Sequence, residues 1–88
     1  MALYIVTYDL HAQGQNYREL RRLLERFEGH WHMQRSVWLV RSNASVAEIR
    51  AYLLRAIDSN DTLFIGKLSA AVGAHLDTKS LAWVQATL

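Results

Sequence analysis

The chain has 88 residues, no cysteine and no proline, and a formal net charge of +2. This length allows one small domain, because two domains would leave neither with a core of its own. The absence of cysteine excludes a disulfide-stapled scaffold and any thiolate site for zinc or an iron–sulfur cluster. With 51% hydrophobic and 20% charged residues, the composition is typical of a globular chain and not of a disordered one.

The amino-terminal segment has no pattern of a targeting signal. It lacks a basic stretch followed by the long apolar run of a secretion signal. The longest apolar run in the chain is far shorter than the about 18 residues that a transmembrane helix needs. We therefore expect a cytoplasmic protein without membrane contact.

Arginine dominates the basic side chains, since eight of the ten are arginine and two are lysine. A guanidinium group can pair with a phosphate or a carboxylate through two parallel hydrogen bonds. The excess of arginine therefore has two interpretations. It indicates either phosphate binding or a coding bias combined with surface ion pairs.

The first elements along the chain are a strand and a helix. Residues 3–9 are rich in aromatic and β-branched side chains, which predicts a strand that ends at Asp9. A polar loop follows. Asn16 and Glu19 then have capping-box spacing, which predicts the start of a helix. Gly29 is the residue type that commonly follows the last turn of a helix, so we expect the helix to end there.

Two strands and a second helix come next. Residues 30–34 and 36–41 have strand composition, and we expect a tight turn between them. Ser45 and Glu48 form a second capping-box pattern. Apolar residues then recur at helical spacing as far as Ile57, which predicts an amphipathic helix.

A last strand precedes a tail whose structure has two interpretations. Residues 62–68 predict a strand after an acidic turn. In the tail, either Asp77 or Thr78 caps a short helix, or residues 81–84 form a fifth strand.

This order of elements, β-α-β-β-α-β with a tail, predicts an α+β fold of the ferredoxin-like kind. We expect a single domain over residues 1–88, with a core over 2–68 and a tail over 69–88. Right-handed crossovers place the first strand between the third and the fourth, with the second strand at an edge. Because the third strand then runs antiparallel to the first, we expect Asp9 and residues 34–36 to lie at the same rim of the sheet.

The predicted strands are apolar on both faces. Tyr4 alternates with Ile5 in the first strand, and Phe64 alternates with Ile65 in the last. Two helices cover only one face of such a sheet, so the tail or another copy must cover the second face. Because the tail is short, we predict a two-fold symmetric homodimer.

Asp9 is the first candidate for chemistry. A carboxylate at the end of an apolar strand needs a cation or hydrogen-bond donors, and carboxylate oxygens suit hard metal ions. If the dimer axis passes near this rim, two copies of Asp9 face each other and favour a shared divalent ion. The alternative is that Asp9 only caps the following loop. His11 lies two residues later and either orients water as a base or is merely exposed.

Basic residues on the first helix are the second candidate group. Arg18, Arg22 and Arg26 recur every four residues and therefore line one flank of the helix. Arg18 and Arg22 lie nearest the loop after the first strand, which makes them the better phosphate ligands. The alternative is a solvated face with ion pairs, such as Arg21 with Glu25.

Aromatic and imidazole side chains complete the candidates. Tyr8 and Tyr17 flank the loop after the first strand, where they either stack on a base or belong to the core. His30 and His32 share one face of a strand at a spacing that can chelate a metal, but no third ligand is apparent at that end. We interpret the two histidines as a feature of an edge strand or a dimer surface.

Several of these residues occur in an order that resembles the CRISPR-associated Cas-two family of small ferredoxin-like proteins. The resemblance covers residues 3–68. Within the family, the sequence is similar to a stand-alone branch labelled SinR-like. The segments that carry it are Tyr8-Asp9 at a strand end, the arginine-containing helix 17–27, Gln34-Arg35-Ser36-Val37-Trp38, and the acidic turn before Thr62-Leu63-Phe64-Ile65.

The resemblance implies a symmetric homodimer that contacts RNA or DNA. It also implies Mg²⁺ or Mn²⁺ bound between the protomers by the strand-end aspartate, and phosphodiester cleavage in some members. The site residues that we expect are Asp9 for metal binding and catalysis, Ser36 and Tyr8 for catalysis, Arg18, Arg22, Arg35 and Tyr17 for nucleic-acid binding, and His11 as an auxiliary group.

We predict from this pattern a metal-dependent endonuclease that acts on RNA or DNA as a homodimer. One alternative is a non-catalytic nucleic-acid scaffold, as in CRISPR spacer-acquisition complexes. Another is a regulatory or structural dimer that binds a protein partner through the tail. The chain departs from the family where residues 39–41 (Leu-Val-Arg) follow Trp38 in place of an acidic residue and a glycine, which weighs against a role in CRISPR adaptation.

Overall fold

The protein is described by a computed structural model that covers residues 1–11 and 17–88. The predicted α+β class is confirmed, the layout is compatible with a ferredoxin-like fold, and the tail forms a helix and not a fifth strand. In chain order the elements are β1 (Ala2–Asp9), α1 (Tyr17–Leu24), β2 (Gly29–Gln34), β3 (Val37–Ser42), α2 (Val46–Leu53) with one further 3₁₀ turn (Leu54–Ala56), β4 (Thr62–Leu68) and α3 (Thr78–Thr87).

The four strands form one sheet in the order β2-β3-β1-β4, with antiparallel pairing throughout. This order is the one that right-handed crossovers predict. Val6, in the middle of β1, pairs with Trp38 on one side and with Ile65 on the other. β1 is therefore held by backbone hydrogen bonds along both edges, while β2 and β4 form the edges of the sheet.

The core lies between the sheet and the helices α1 and α2. Alternate residues of β1 and β3 point into it, and the helices contribute leucine and isoleucine side chains. Full burial of each large apolar side chain stabilises the folded state by about 1.5–3 kcal/mol relative to an exposed side chain. The most deeply buried of these residues are Val6, Leu20, Leu24, Trp38, Val40, Ile49 and Leu53.

Both caps that the structure describes match the sequence patterns. At α2, the Glu48 amide donates to the Ser45 hydroxyl (3.1 Å) and the Ser45 amide donates to the Glu48 carboxylate (2.9 Å). The bond that the Glu48 carboxylate accepts from the Ser45 amide, followed by its interaction with the Ser45 side chain, lowers the pKa of Glu48. At α3, the Asp77 carboxylate accepts from the Ser80 amide (3.1 Å), so Asp77 and not Thr78 is the cap.

The end of α1 differs from the prediction. The helix ends at Leu24, and Gly29 is the first residue of β2 and not a helix cap. Gly29 pairs with Arg41 of β3, and a Cβ atom on Gly29 would lie 2.9 Å from the Arg41 Cδ. Crowding by the Arg41 side chain therefore accounts for the glycine. The predicted cap at Asn16 lies outside the described residues.

Helix α3 packs on the sheet face opposite to α1 and α2. The Trp31 indole nitrogen donates to the buried Ser80 hydroxyl (2.8 Å), and the Trp31 and Trp83 rings stack with centroids 6.3 Å apart. This contact covers the β2 side of the face. On β4, Phe64 keeps 69% of its surface exposed. The tail thus covers part of the second face, which we call the open face, and leaves the β4 side uncovered.

We expect a Ser80→Ala substitution to weaken the docking of α3. It removes the acceptor of the Trp31 indole N–H, which should lower the free energy of unfolding by about 1–2 kcal/mol. Urea denaturation followed by tryptophan fluorescence measures this change. Ser59→Ala, at an exposed serine in the turn before β4, is the control and should stay within about 0.5 kcal/mol. Equal effects of the two substitutions would contradict the assignment.

Candidate metal and nucleic-acid site

The candidate site lies at the rim where β1 ends. Asp9 is exposed there and pairs in the sheet with Thr62, the first residue of β4. The neighbouring Tyr8 amide donates to the Ser36 carbonyl (3.2 Å), which joins β1 to the turn between β2 and β3. The structure therefore brings Asp9 and Ser36 to one rim, as the predicted topology requires.

Asp61, which no pattern in the sequence indicated, anchors the His11 backbone just after β1. One carboxylate oxygen accepts from the His11 amide (2.7 Å) and the other from the Asp58 amide (2.8 Å). The bond from Asp58 and then the bond from His11 lower the pKa of Asp61. His11 is thus anchored through its backbone, while the residue itself is exposed beside Asp9.

Tyr8 lies on the opposite side of the sheet from Asp9. Strand alternation directs the Tyr8 ring into the core, where its hydroxyl accepts from the Trp38 indole N–H (3.2 Å). The half-buried Tyr17 ring meets it edge-on at 6.3 Å. Burial, more than any other cause, raises the pKa of Tyr8 to about 12. The hydroxyl is therefore neutral at physiological pH and does not share a face with the Asp9 carboxylate.

The candidate arginines are exposed. Arg18 and Arg22 lie on α1, and Arg35 lies in the turn that also carries Ser36. Arg22 forms a surface ion pair with Glu19 (3.4 Å), and 71% of the Arg22 side-chain surface is exposed. Such a pair contributes at most about 1 kcal/mol, so a phosphate can replace the glutamate at low cost.

The predicted pair between Arg21 and Glu25 is confirmed, with 3.5 Å between the two groups. The sequence left open whether α1 binds phosphate or presents a solvated surface with ion pairs, and the exposed side chains of α1 allow both. Its glutamates neutralise part of the basic charge, and its arginines stay accessible to an anionic ligand.

Asp9 has no companion ligands for a metal ion within the described part of one chain. Within residues 1–11 and 17–88, no three His, Asp or Glu side chains are grouped closely enough to hold a metal ion. An exposed carboxylate nevertheless suits Mg²⁺, which is often bound by one or two carboxylates and keeps several water molecules. The His30 and His32 rings lie beside the Trp38 ring, on the side of the sheet opposite to the Asp9 carboxylate.

Comparison with known proteins identifies the family. The family described as CRISPR associated protein Cas2 matches residues 1–73. The chain belongs to this family. The match spans all four strands and the rim with Asp9 and Ser36, and it ends before α3. Family membership supports a Cas2-like role; Cas2 proteins typically dimerise and bind nucleic acid, and the family is generally metal-dependent.

A solved structure supports the same fold. The crystal structure of the hypothetical protein TT1823 from Thermus thermophilus superposes with a TM-score of 0.66 at 24% sequence identity. The similarity covers 83% of this chain and 88% of that chain. None of the helices in the described part of the Cas2-family chain is long and apolar enough to cross a membrane.

The raised pKa of Tyr8 predicts a loss of stability at high pH. The folded protein keeps the Tyr8 proton up to a pH of about 12, whereas the unfolded chain releases it near 10. The resulting stabilisation is fully present below pH 10 and is lost as the pH rises from 10 to 12. Urea denaturation of wild type and Tyr8→Phe across this range should therefore give a difference in unfolding free energy that falls with pH. A constant difference would contradict the assignment.

Proposed function

We propose that this Cas2-family protein is an endonuclease that hydrolyses phosphodiester bonds of RNA or DNA as a homodimer, with Mg²⁺ or Mn²⁺ at Asp9. The observation that carries the proposal is the position of Asp9. It is an exposed carboxylate at the end of a buried central strand, within the segment that the family matches. A bound metal ion would polarise a phosphoryl oxygen and lower the pKa of a coordinated water molecule.

The backbone of Asp9 is well held. Thr7 pairs with Val37 on one side of β1, and Asp9 itself pairs with Thr62 on the other. By strand alternation the carboxylate lies on the side of the open face, which α1 and α2 do not cover. A ligand group on such a rigid element keeps its direction, as a hard-metal site requires.

The uncovered part of the open face supports the dimer. Phe64 is 69% exposed on β4 and pairs with Thr7, two residues before Asp9. A second copy packed on Phe64 would bury this aromatic surface and place a second Asp9 near the first. Two carboxylates at one place repel each other, so a shared divalent cation stabilises the arrangement.

Accessible donors on α1 and in the β2–β3 turn would bind the nucleic acid. Arg18, Arg22 and Arg35 are exposed and can each pair with a phosphate through two hydrogen bonds. Ser36 lies in the same turn as Arg35 and would contact substrate or a metal ligand. The half-buried Tyr17 ring has exposed surface for stacking on a base.

Two candidate residues would act close to Asp9. His11 is exposed beside it and can orient a water molecule or accept a proton. Tyr8 would act through structure, because its buried hydroxyl accepts from Trp38 while its backbone adjoins Asp9. We therefore assign Tyr8 a positioning role in the proposed reaction.

A non-catalytic nucleic-acid scaffold is the second candidate function. The observation that favours it is the lone carboxylate, since the described part of one chain has no group of three metal-ligating side chains. The same arginines would serve both functions. Metal-dependent cleavage decides between them.

Asp9→Asn should abolish cleavage and leave binding intact. Asparagine keeps the size of the side chain but removes the charge that attracts the cation, so we expect a loss of roughly 100-fold or more in rate. The assay measures cleavage of labelled single-stranded RNA and DNA with Mg²⁺ or Mn²⁺, and fluorescence anisotropy gives the affinity. Asp58→Asn, at an exposed aspartate in the turn before β4, is the matched control and should cleave normally.

Cleavage by Asp9→Asn at the wild-type rate, or cleavage in excess chelator, would disprove the metal mechanism. Wild-type protein that binds nucleic acid but cleaves neither substrate would establish the scaffold instead.

Phe64→Ser should weaken the dimer. It removes the exposed aromatic ring from the open face, and we expect the dissociation constant of the dimer to rise at least about tenfold, or about 1.4 kcal/mol. Sedimentation velocity over a concentration series measures it. Leu54→Ser, at a residue that is 42% exposed beyond α2, is the control and should leave the constant unchanged. A wild-type protein that is monomeric at micromolar concentration would refute the dimer.

A further inference from the structure

The turn between β2 and β3 carries Arg35 and Ser36, and a side chain of β2 is bonded to it. The Nε2 atom of His32 lies 3.1 Å from the carbonyl oxygen of Arg35. A carbonyl oxygen only accepts hydrogen bonds, so Nε2 must carry a proton. In the other neutral tautomer a lone pair of Nε2 would face the oxygen and repel it. The contact therefore assigns the protonated nitrogen of His32.

The His32 ring has little freedom to leave this position. It stacks on the Trp38 ring with centroids 4.4 Å apart and an angle of 10° between the planes. Trp38 is itself 2% exposed and donates its indole N–H to the Tyr8 hydroxyl. A buried, hydrogen-bonded indole thus supports one face of the imidazole, and Nε2 faces the turn.

The turn is bonded from both sides. The Arg35 carbonyl accepts from His32, and the next carbonyl, that of Ser36, accepts from the Tyr8 amide of β1. The pairing between β2 and β3 shifts register between His32 and Gln34, which interrupts the regular ladder just before the turn. The ladder resumes with Gln34 opposite Val37, and the side-chain bond from His32 spans the irregular position and adds a constraint on the Arg35 carbonyl.

We propose that His32 is a positioning residue that holds Arg35 and Ser36 at the rim beside Asp9 through its Nε2–H. The part of this inference that concerns nucleic acid rests on the proposed function. The part that concerns the turn stands on the contacts of His32 alone.

His30 provides a matched control within the same strand. It lies on the same face of β2, and its ring is also near Trp38, but the centroids are 6.3 Å apart and the planes are tilted by 41°. The hydrogen bond to the turn comes from His32. Replacing either ring by phenylalanine keeps an aromatic surface beside Trp38, and only His32→Phe removes the donor to Arg35.

The first test reads the hydrogen bond directly. In the ¹⁵N-labelled full chain at pH 7.5, two-bond ¹H–¹⁵N spectra should give the Nε2–H tautomer for His32, with a ring proton visible in water because the bond slows its exchange. Exchange of the Tyr8 amide, which donates to the Ser36 carbonyl, should become at least about tenfold faster in His32→Phe and stay unchanged in His30→Phe. The Nδ1–H tautomer, or equal exchange in the two variants, would overturn the proposal.

The second test connects the turn to binding through a double-mutant cycle. Anisotropy with labelled single-stranded RNA and DNA at fixed salt gives the effect of Arg35→Ala in three backgrounds. We expect at least a threefold loss of affinity in wild type and in His30→Phe, and less than half of that factor in His32→Phe. An equal loss in all three backgrounds would overturn the positioning role. If wild type binds neither nucleic acid, the proposed function fails, and the tautomer and exchange data still decide the role of His32.

Discussion

Backbone pairing along both edges of β1 determines where the candidate site lies. β3 and β4 hold the strand from its first residue to Asp9, so the end of β1 has a fixed position relative to the β2–β3 turn and the start of β4. Without the crossovers that place β1 in the centre, these three segments would lie apart, since they are distant in sequence. The apolar side chains of β1 then attach the sheet to α1 and α2 on one face.

Because side chains alternate along β1, neighbouring residues near its end have different roles: one packs in the core and the next is exposed to solvent. Tyr8 points into the core and bonds to Trp38, which also carries the stacked ring of His32. Asp9 lies on the other side of the sheet and is exposed. The groups that contact solvent at the rim therefore rest on the buried Tyr8 and Trp38 rings, against which the half-buried Tyr17 and His32 rings pack. Residues 39–41, where the chain departs from the family pattern, also serve packing, because Leu39 and Val40 are buried.

Local signals in the sequence predicted what depends on local contacts. The Ser45–Glu48 capping box, the strand at 62–68 and the sheet order all follow from spacing, composition and crossover handedness. Gly29 was assigned wrongly because its glycine requirement comes from Arg41 on a neighbouring strand. Asp61 was missed for the same reason, since its bond to His11 spans 50 positions. The tail was undecided because the contact between Trp31 and Ser80 is a tertiary one.

The stacked pair of Trp31 and Trp83 gives the chain an optical property. Two of its three indoles lie 6.3 Å apart with nearly parallel rings, and one belongs to β2 while the other belongs to α3. Chromophores at that separation couple their electronic transitions, so near-ultraviolet circular dichroism contains a contribution that exists only while α3 lies on the sheet. Trp38 absorbs from the opposite face as a separate chromophore. The protein thus carries its own spectroscopic reporter of whether α3 covers the β2 side of the open face.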